Sequence, residues 1–310
     1  MTCSSEPRPS SQRRPRPGER VSPGVGREGQ NPDLRSLELL GVSRPGYYDW
    51  ARRAPSDRAL SDAWLTEKIK QIHAENRRVY GAPRIHAELR MTHGIRVSRK
   101  RVERLMREAG ISGLALRKRG RTTIRVPGVR VADDLVERQF RPAAPNVLWI
   151  ADMTYLRTWE GWLYLAAVQD AYSRRIVGWS MADHMRAELV VDALQMGIAR
   201  RRPDPGLIHH SDQGSQYVSV AFGQAAGRAG IARSMGSRGD CFDNAVAESF
   251  FATLKKELVH RQTWPTRREL TSEVFEYIEA FYNPIRRHST LGMLSPIQYE
   301  EQTPSLTPNS

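Results

Sequence analysis

Hydrophobic residues recur at helical spacing in the first half of the chain. Ile69 and Ile72 share one face of a first helix, and Pro83 suits the first turn of a second helix. Ser98 is a typical N-cap for a third helix, and Gly110 is placed to end it. The pattern therefore predicts a run of three helices.

The second and third helices, joined by a tight turn containing glycine, match the helix-turn-helix pattern. The third helix reads SRKRVERLMREAG, with apolar positions facing the core and basic positions left for the surface. Because the first turn of such a helix enters the major groove of DNA, its basic side chains are candidate DNA contacts. They are Arg99, Lys100 and Arg101, and Arg104 in the next turn is a further candidate DNA contact. The alternative is a solvated, charged face on an ordinary helical hairpin.

Alternating hydrophobic and polar residues begin at residue 147. Three such runs with short connections predict an antiparallel meander over residues 147–181. Helices are then predicted at residues 186–200, 219–230, 244–260 and 267–282, and strands at residues 207–211 and 231–235. The order βββ-α-β-α-β-α predicts an α/β fold, a mixed sheet flanked by helices, preceded by an all-α helix-turn-helix domain.

Positive charge is concentrated in the first half. Residues 1–145 hold 31 Lys and Arg against 16 Asp and Glu, a net of +15, whereas residues 146–310 hold 17 against 18, a net of −1. This asymmetry indicates that the first half binds a polyanion. No apolar run suits a membrane span or a signal peptide, which predicts a cytoplasmic protein. Cys3 and Cys241 are the only cysteines, which excludes a disulfide framework and a CxxC zinc site.

Composition and pattern divide the chain into segments. Residues 1–32 are rich in Pro, Arg, Ser and Gly and are predicted to be disordered. One interpretation is a basic arm that contacts DNA phosphates. The alternative is a solvated leader or an artefact of start-codon choice. A basic connector at residues 117–144 follows a phosphate backbone or is a passive tether. The other predicted segments are a short N-terminal segment and linker (33–61), the helix-turn-helix domain (62–116), the α/β domain (145–265), a helical extension (266–300) and a disordered tail (301–310).

Three acidic residues stand out by position in the α/β half. Asp152 lies inside the first strand, Asp212 directly follows a short strand, and Glu248 lies among apolar residues of a helix. Acids at strand ends of a mixed sheet lie where ligands usually bind. Convergent carboxylates repel one another, and a hard cation such as Mg²⁺ relieves the repulsion and suits phosphodiester chemistry. Each acid alone also has an ordinary explanation, as a strand-edge acid, a turn former or a helix-surface acid.

Several motifs resemble one protein family in order and spacing. Three segments resemble the signature blocks of DDE transposases, enzymes with a retroviral-integrase-like core. They are WIADMTYL, HSDQGSQY and GDCFDNAVAESFFATLKKE. The 35 residues between Asp212 and Glu248 match the interval typical of this subgroup. Two further blocks resemble OrfB, the second-frame protein of the frameshifting IS-three family of bacterial insertion sequences. They are VYGAPRIHAELRMTHGIRVSRKRVERLMREAGI and FYNPIRRHSTLGMLSP.

The resemblance implies a ribonuclease H-like catalytic core over residues 145–265. In that core Asp152, Asp212 and Glu248 hold two Mg²⁺ ions, with Mn²⁺ able to substitute. An activated water first cleaves a strand at the element end, and the freed 3′-hydroxyl then attacks another phosphodiester. The implied partners are double-stranded DNA (terminal inverted repeats and target), further copies of the chain in a synaptic complex, and the upstream-frame OrfA product as a fusion or partner. A DNA-acting protein of this kind is expected at the bacterial nucleoid.

Residues around the three acids have expected supporting roles. Asn244 is expected to orient the start of the Glu248 helix. Lys255, two turns after Glu248 on the same face, is expected to bind a phosphate, or is a solvated helix lysine. Arg286 and Arg287, in the C-terminal block, are further expected DNA contacts.

Other chemistry-bearing residues are assigned structural roles. His209 and His210 resemble a metal pair, but hard-metal chemistry does not need them. The aromatic residues Trp149, Tyr155 and Trp162 are expected in the core rather than as platforms for stacked bases. Two functions compete with transposition: a non-catalytic DNA-binding regulator from a decayed element, and a metal-dependent nuclease without strand transfer.

Overall fold

The chain divides into two compact units, Met1–Leu60 and Ser61–Ser310. The computed structural model describes residues 37, 41–114, 142–212, 214–235 and 245–302, with no side chains described for residues 245–247. Most of the predicted leader, connector and tail, namely residues 1–32, 117–141 and 303–310, therefore lie outside the described residues.

The segment predicted as a linker contains helical residues. In the first unit, helix α1 (Arg44–Arg52) begins with a proline in its first turn, and the Ser43 side chain accepts a hydrogen bond from Gly46 N. Helix α2 (Asp57–Glu75) begins earlier than the predicted residue 62. The reason is a local cap, since the Ser56 hydroxyl accepts a hydrogen bond from Ala59 N at 3.2 Å.

The two following helices begin and end at the predicted signals. Helix α3 (Ala82–Met91) has a proline in its first turn, and in helix α4 (Arg99–Glu108) the Ser98 side chain accepts a hydrogen bond from Arg101 N. Gly110 follows α4 with a φ of 68°, the left-handed conformation that ends helices. The predicted helical run is confirmed.

Five strands of the described residues form one sheet in the order β3-β2-β1-β4-β5. The first three pair antiparallel, as the predicted meander requires, and the last two run parallel to β1. The strands are β1 (Leu148–Thr158), β2 (Gly161–Asp170), β3 (Ile176–Ala182), β4 (Ile208–Ser211) and β5 (Ala232–Met235).

Helices cover both faces of this sheet. They are α5 (Ala187–Arg201), α6 (Val220–Arg228), α7 (Ala245–Glu257), α8 (Arg267–Glu276) and α9 (Pro296–Glu301), with 3-10 turns at Val259–Arg261 and Ser289–Leu291. The predicted helix at residues 267–282 changes to a π-helical turn at Tyr277–Tyr282. Directly after that turn, the Asn283 side chain bonds both the N–H and the C=O of Ile176. Helix α9 was not predicted; it begins with a capping box at Ser295.

Two hydrophobic clusters hold the layers together. On one face, Trp149 of β1 packs with Leu194 of α5 and Phe222 of α6. Helix α5 lies very close to the sheet, because a Cβ atom on Gly178 would stand 2.1 Å from Ala193 O. The other cluster is continuous from the helix-turn-helix region to the sheet and α7. The predicted mixed sheet flanked by helices is confirmed, and the helix-turn-helix region shares its core.

No helix in the described stretches of the chain combines the length and the apolar character that a membrane span requires.

Candidate active site

Two of the three predicted acids lie on neighbouring parallel strands, Asp152 within β1 and Asp212 directly after β4. β1 and β4 pair with Ile150 opposite His210. Continuing that register by two residues places Asp152 opposite Asp212, which directly follows β4. Adjacent strands lie about 4.8 Å apart. The sheet thus brings together two carboxylates that are distant in sequence, at the carboxyl end of β4 where ligands bind in such sheets.

Asp152 is partly buried, and its ionised form is disfavoured. Burial, together with the negative charges of Asp212 and Glu248, raises the pKa of Asp152 to about 7. The hydrogen bond that Met153 N donates to Asp152 Oδ1 at 2.7 Å and the positive charge of Lys255 act in the opposite direction. A second cation beside Asp152 would therefore stabilise the carboxylate.

Helix α7 brings Glu248 and Lys255 to this site. Glu248 lies in the first turn of α7, and Lys255 follows in its last turn. Both charges act on Asp152, so both residues face the same region of the sheet. Glu248 and Asp212 are exposed, and Asp212 Oδ1 accepts a hydrogen bond from Gly214 N at 3.1 Å.

The carboxylates lie near one another but do not form a complete coordination site for a metal ion. Among the described residues, no three His, Cys, Asp or Glu side chains form a group ready to hold a metal ion. Asn244, expected to orient the start of α7, lies outside the described residues. Its supporting role stays a prediction.

A buried tyrosine beside the acids was not predicted. Tyr217 is fully enclosed, and its hydroxyl has no hydrogen-bond partner in the part of the chain that the structure describes. Burial raises the pKa of Tyr217 well above its usual range, and the charges of Asp152 and Asp212 raise it further. The hydroxyl therefore stays protonated and able to donate. Only its nearness to the acids, which the sequence does not reveal, distinguishes it from a core aromatic residue.

The two histidines of β4 have structural positions, as predicted. Both are buried, and His210 Nδ1 lies 2.9 Å from the Ser234 hydroxyl of β5. His209 packs against Phe222 with ring centroids 5.1 Å apart. Burial lowers the pKa of His209 to about 4, so its ring is neutral at neutral pH.

The expectation that three aromatic residues lie in the core is only partly correct. Trp149 is fully buried, but Tyr155 and Trp162 are 57% and 41% exposed. The reason is the strand period, since Tyr155 lies on the opposite face of β1 from the buried Leu156. The exposed Arg157, two residues along on the same face, is the sequence signal that this face meets solvent.

The basic residues of α4 divide into two kinds. Arg101 Nε and Arg104 Nη2 donate to the Asp62 carboxylate of α2 at 2.7 and 2.6 Å, which fastens the two helices together. These bonds to Arg104 and Arg101 lower the pKa of Asp62. Lys100 is exposed, and Arg99 is 62% exposed with an i,i+4 pair to Glu103. An exposed pair of this kind contributes roughly 0.3–0.5 kcal/mol, so a phosphate can displace it.

The expectation that Arg286 and Arg287 contact DNA is wrong. Both are buried, at 4% and 3% exposure. Arg286 Nη2 lies 2.7 Å from Glu257 Oε1 of α7. Arg287 pairs with Glu88 of α3, and Tyr80 donates its hydroxyl to Ile285 O at 3.3 Å. These arginines attach the C-terminal segment to α7 and to the helix-turn-helix region, and their charges are neutralised inside the protein.

Comparisons with known families agree with this architecture. An HTH-like domain model matches residues 59–119, and integrase core domain models match residues 142–241 and 248–303. The first match runs from within the first turn of α2 to beyond α4, the second covers all five strands, and the third begins at Glu248.

Named relatives cover most of the chain. It is 43% identical to the insertion element IS600 uncharacterized 31 kDa protein of Shigella sonnei, over 86% of this chain and 97% of that protein. It is 40% identical to the transposase InsF for insertion sequence IS3A of Escherichia coli K12, over 85% of this chain and 92% of that protein. A more distant match is a chain in the cryo-EM structure of the simian T-cell lymphotropic virus intasome with PP2A regulatory subunit B56 gamma. Its identity is 16% and its TM-score 0.45, over 77% of this chain and 76% of that chain.

Proposed function

The chain belongs to the IS3 family of bacterial insertion-sequence transposases, and we propose that Asp152, Asp212 and Glu248 are its catalytic carboxylates. Its core is ribonuclease H-like, an antiparallel meander followed by two parallel strands with helices on both faces. The activity is DNA transposition by a DDE-type polynucleotidyl transferase, which cleaves and joins DNA strands at the ends of an insertion sequence.

The observation that carries the residue assignment is the register of β1 and β4. The observed parallel pairing ends at Ile150 and His210, and its continuation by two residues aligns Asp152 with Asp212. Glu248 acts on Asp152 from α7, whose position over β1 is independent of that register. If the three acids were unrelated surface residues, there would be no reason for the charges of both Asp212 and Glu248 to act on Asp152.

The donor set fits divalent metal ions. Burial and two neighbouring carboxylates raise the pKa of Asp152, which is the mark of a site that lacks positive charge. We infer that Asp152, Asp212 and Glu248 would hold two Mg²⁺ ions, with Mn²⁺ able to substitute, and that they converge fully only with cations between them. When bound, such ions lower the pKa of the attacking hydroxyl and neutralise charge on the transferred phosphate.

The remaining residues position DNA. Lys255 places an ammonium group beside Asp152, where it would contact a phosphate next to the scissile one. Arg99 and Lys100 would contact the major groove or backbone from the exposed first turn of α4. Arg101 and Arg104 would do so only by leaving Asp62. Asn244 is proposed to orient the start of α7.

Alanine at both Arg99 and Lys100 is expected to weaken DNA binding and lower its salt dependence. Each phosphate contact contributes about one to the slope of log affinity against log salt, so the slope should fall by about two. The measurement is anisotropy of a labelled duplex titrated at several salt concentrations. Arg228→Ala, at an exposed position on α6, is the matched control. An unchanged slope in the double variant would remove α4 from the DNA interface.

The assembly has two proposed partners besides DNA. A synaptic complex must hold two element ends at once, which favours a homo-oligomer, and an OrfA product of the upstream frame is proposed as a fusion or partner. Within the described residues no surface is assigned to either partner.

The proposed reaction is tested with a labelled duplex carrying the element end and a supercoiled target. Purified protein with Mg²⁺ is expected to yield joined products, and excess EDTA to abolish them while binding persists, because binding relies on phosphate contacts rather than on metal. Binding without cleavage would favour the regulator from a decayed element. Nicked products that never become joined would favour the nuclease.

A further inference from the structure

A groove runs beside the candidate active site, between the β1–β2 hairpin and the segment that follows α7. Its volume is about 630 Å³, within the roughly 300–1,000 Å³ of ligand-binding clefts. We call it the aromatic groove; it is lined in part by Tyr155, Arg157, Trp159, Trp162, Lys255 and Trp264.

Three large aromatic side chains at this groove are exposed to solvent. Tyr155 and Trp162 form an edge-to-face pair with ring centroids 5.1 Å apart. Trp159, at the hairpin turn, is 74% exposed. Isolated exposed aromatics are common on proteins, whereas three at one cleft mark a surface that meets a partner.

The groove is built on fixed elements. Trp159 N donates to Trp264 O at 3.0 Å, and the Trp264 ring is buried with its N–H bonded to Val259 O. Arg267 Nε donates to Trp162 O at 3.0 Å from the start of α8. Both walls are therefore anchored, and the aromatic faces are preorganised.

The charge of the groove is positive. Lys255 Nζ lies 5.1 Å from the centre of the Tyr155 ring, and the Arg157 guanidinium lies 5.5 Å from the centre of the Trp162 ring. Among the described residues that line it, none carries a carboxylate. Aromatic faces combined with cations are the features that bind unpaired nucleotides, through base stacking and phosphate contacts.

Lys255 connects the groove to the candidate active site. This residue lines the groove and also acts on Asp152. Seven residues of helix place Lys255 about 10 Å along α7 from Glu248. By strand period Tyr155 and Asp152 lie on opposite faces of β1, and Lys255 is the residue that meets both, at the Tyr155 ring and through its charge on Asp152.

We propose that the aromatic groove binds unpaired nucleotides of the DNA strand whose phosphate lies at the three carboxylates, with bases stacked on Tyr155 and Trp162. Bases inside a duplex are already stacked on their neighbours and cannot reach these rings, so the occupant is a frayed or cleaved strand end. The proposal rests on the proposed function, since it places the same strand in both sites.

The test is binding of the full chain to two labelled duplexes of the same sequence, one blunt and one with a short unpaired oligothymidine 3′ tail. The protein is expected to prefer the tailed duplex. Trp162→Ala and Tyr155→Ala should each weaken its binding by about 5- to 150-fold, the range for one lost stacking contact, and leave blunt-duplex affinity within about twofold. Trp162→Phe should retain most of the preference.

Phe275→Ala is the control, because Phe275 is 52% exposed and lies outside the groove. The proposal is overturned by equal losses on both duplexes, by the same loss in the control, or by unchanged binding of the tailed duplex. Strand joining is measured on the same preparations. Joining without a tail preference would overturn the groove alone, whereas absence of both binding and joining would overturn the proposed function as well.

Discussion

Strand joining by the Asp152→Asn protein is expected to fall at least about 1,000-fold, while its binding to duplex DNA stays within about twofold of the parent chain. Loss of one carboxylate ligand removes several kcal/mol of charge stabilisation, and each roughly 1.4 kcal/mol corresponds to tenfold in rate. Asp212→Asn and Glu248→Gln should show the same separation. The measurement compares joined products with duplex binding for each variant in Mg²⁺.

Asp192→Asn is the matched control, because Asp192 is an exposed carboxylate on α5 of the same domain. It should join strands at the parent rate. Normal joining by any one of the three active-site variants would remove that residue from the catalytic set. A parallel loss of duplex binding and joining would instead indicate that the substitution had damaged the fold.

Arg286→Ala is expected to destabilise the protein by about 3–5 kcal/mol, because it leaves a buried carboxylate without its main partner. Glu257 accepts bonds from Arg286 Nε at 2.8 Å and Nη2 at 2.7 Å, and from the Tyr277 hydroxyl at 2.7 Å. Among the described residues, the only other nearby cation is Arg84 of α3, whose Nη1 lies 3.7 Å from Glu257 Oε1. A loss of this size is a large part of the about 5–15 kcal/mol that stabilises a typical domain. Chemical denaturation monitored by far-UV circular dichroism measures it.

A double variant separates pairing from packing. Arg286→Met combined with Glu257→Leu removes both charges and should lose less stability than Arg286→Ala alone. Arg268→Ala, at an exposed position on α8, should change stability by less than about 0.5 kcal/mol. If Arg286→Ala instead weakened DNA binding with its stability intact, the buried pair would not be its main role.

Local pattern was sufficient for the strands and most helices of the α/β half, but it missed α9 and the π-helical turn at Tyr277–Tyr282. Alternation located the three meander strands to within a residue or two, because strand burial repeats every second residue. The caps at Ser98 and Gly110 act through hydrogen bonds and backbone angles within a few residues, so they too were visible in the sequence. The early start of α2 at Asp57 was missed, although Ser56 is also a local cap.

The candidate catalytic acids were found by motif and position, but their proximity was not. Asp152 and Asp212 meet because β4 crosses over to lie beside β1, and a pairing of distant segments leaves no periodic trace in either segment. Tyr217 was overlooked for the same reason, since its nearness to both acids exists only in the folded chain.

Charge and exposure at single positions depended most on the fold. Arg286 and Arg287 are of the residue type that usually contacts DNA phosphates. Arg287, however, pairs with a glutamate 199 residues away. Tyr155 and Trp162 are large aromatic residues of the kind usually found in a core, yet both are exposed because their side chains lie on the solvent-facing side of the β1–β2 hairpin.

The sequence by itself determined the order of helices and strands, the basic first half and the three acidic positions, because these depend on neighbours in the chain. Only the tertiary structure decided which arginines are neutralised by buried carboxylates, which aromatic side chains are exposed to solvent and which acids lie close enough to shift one another's pKa. Those properties depend on burial and on partners brought from distant segments.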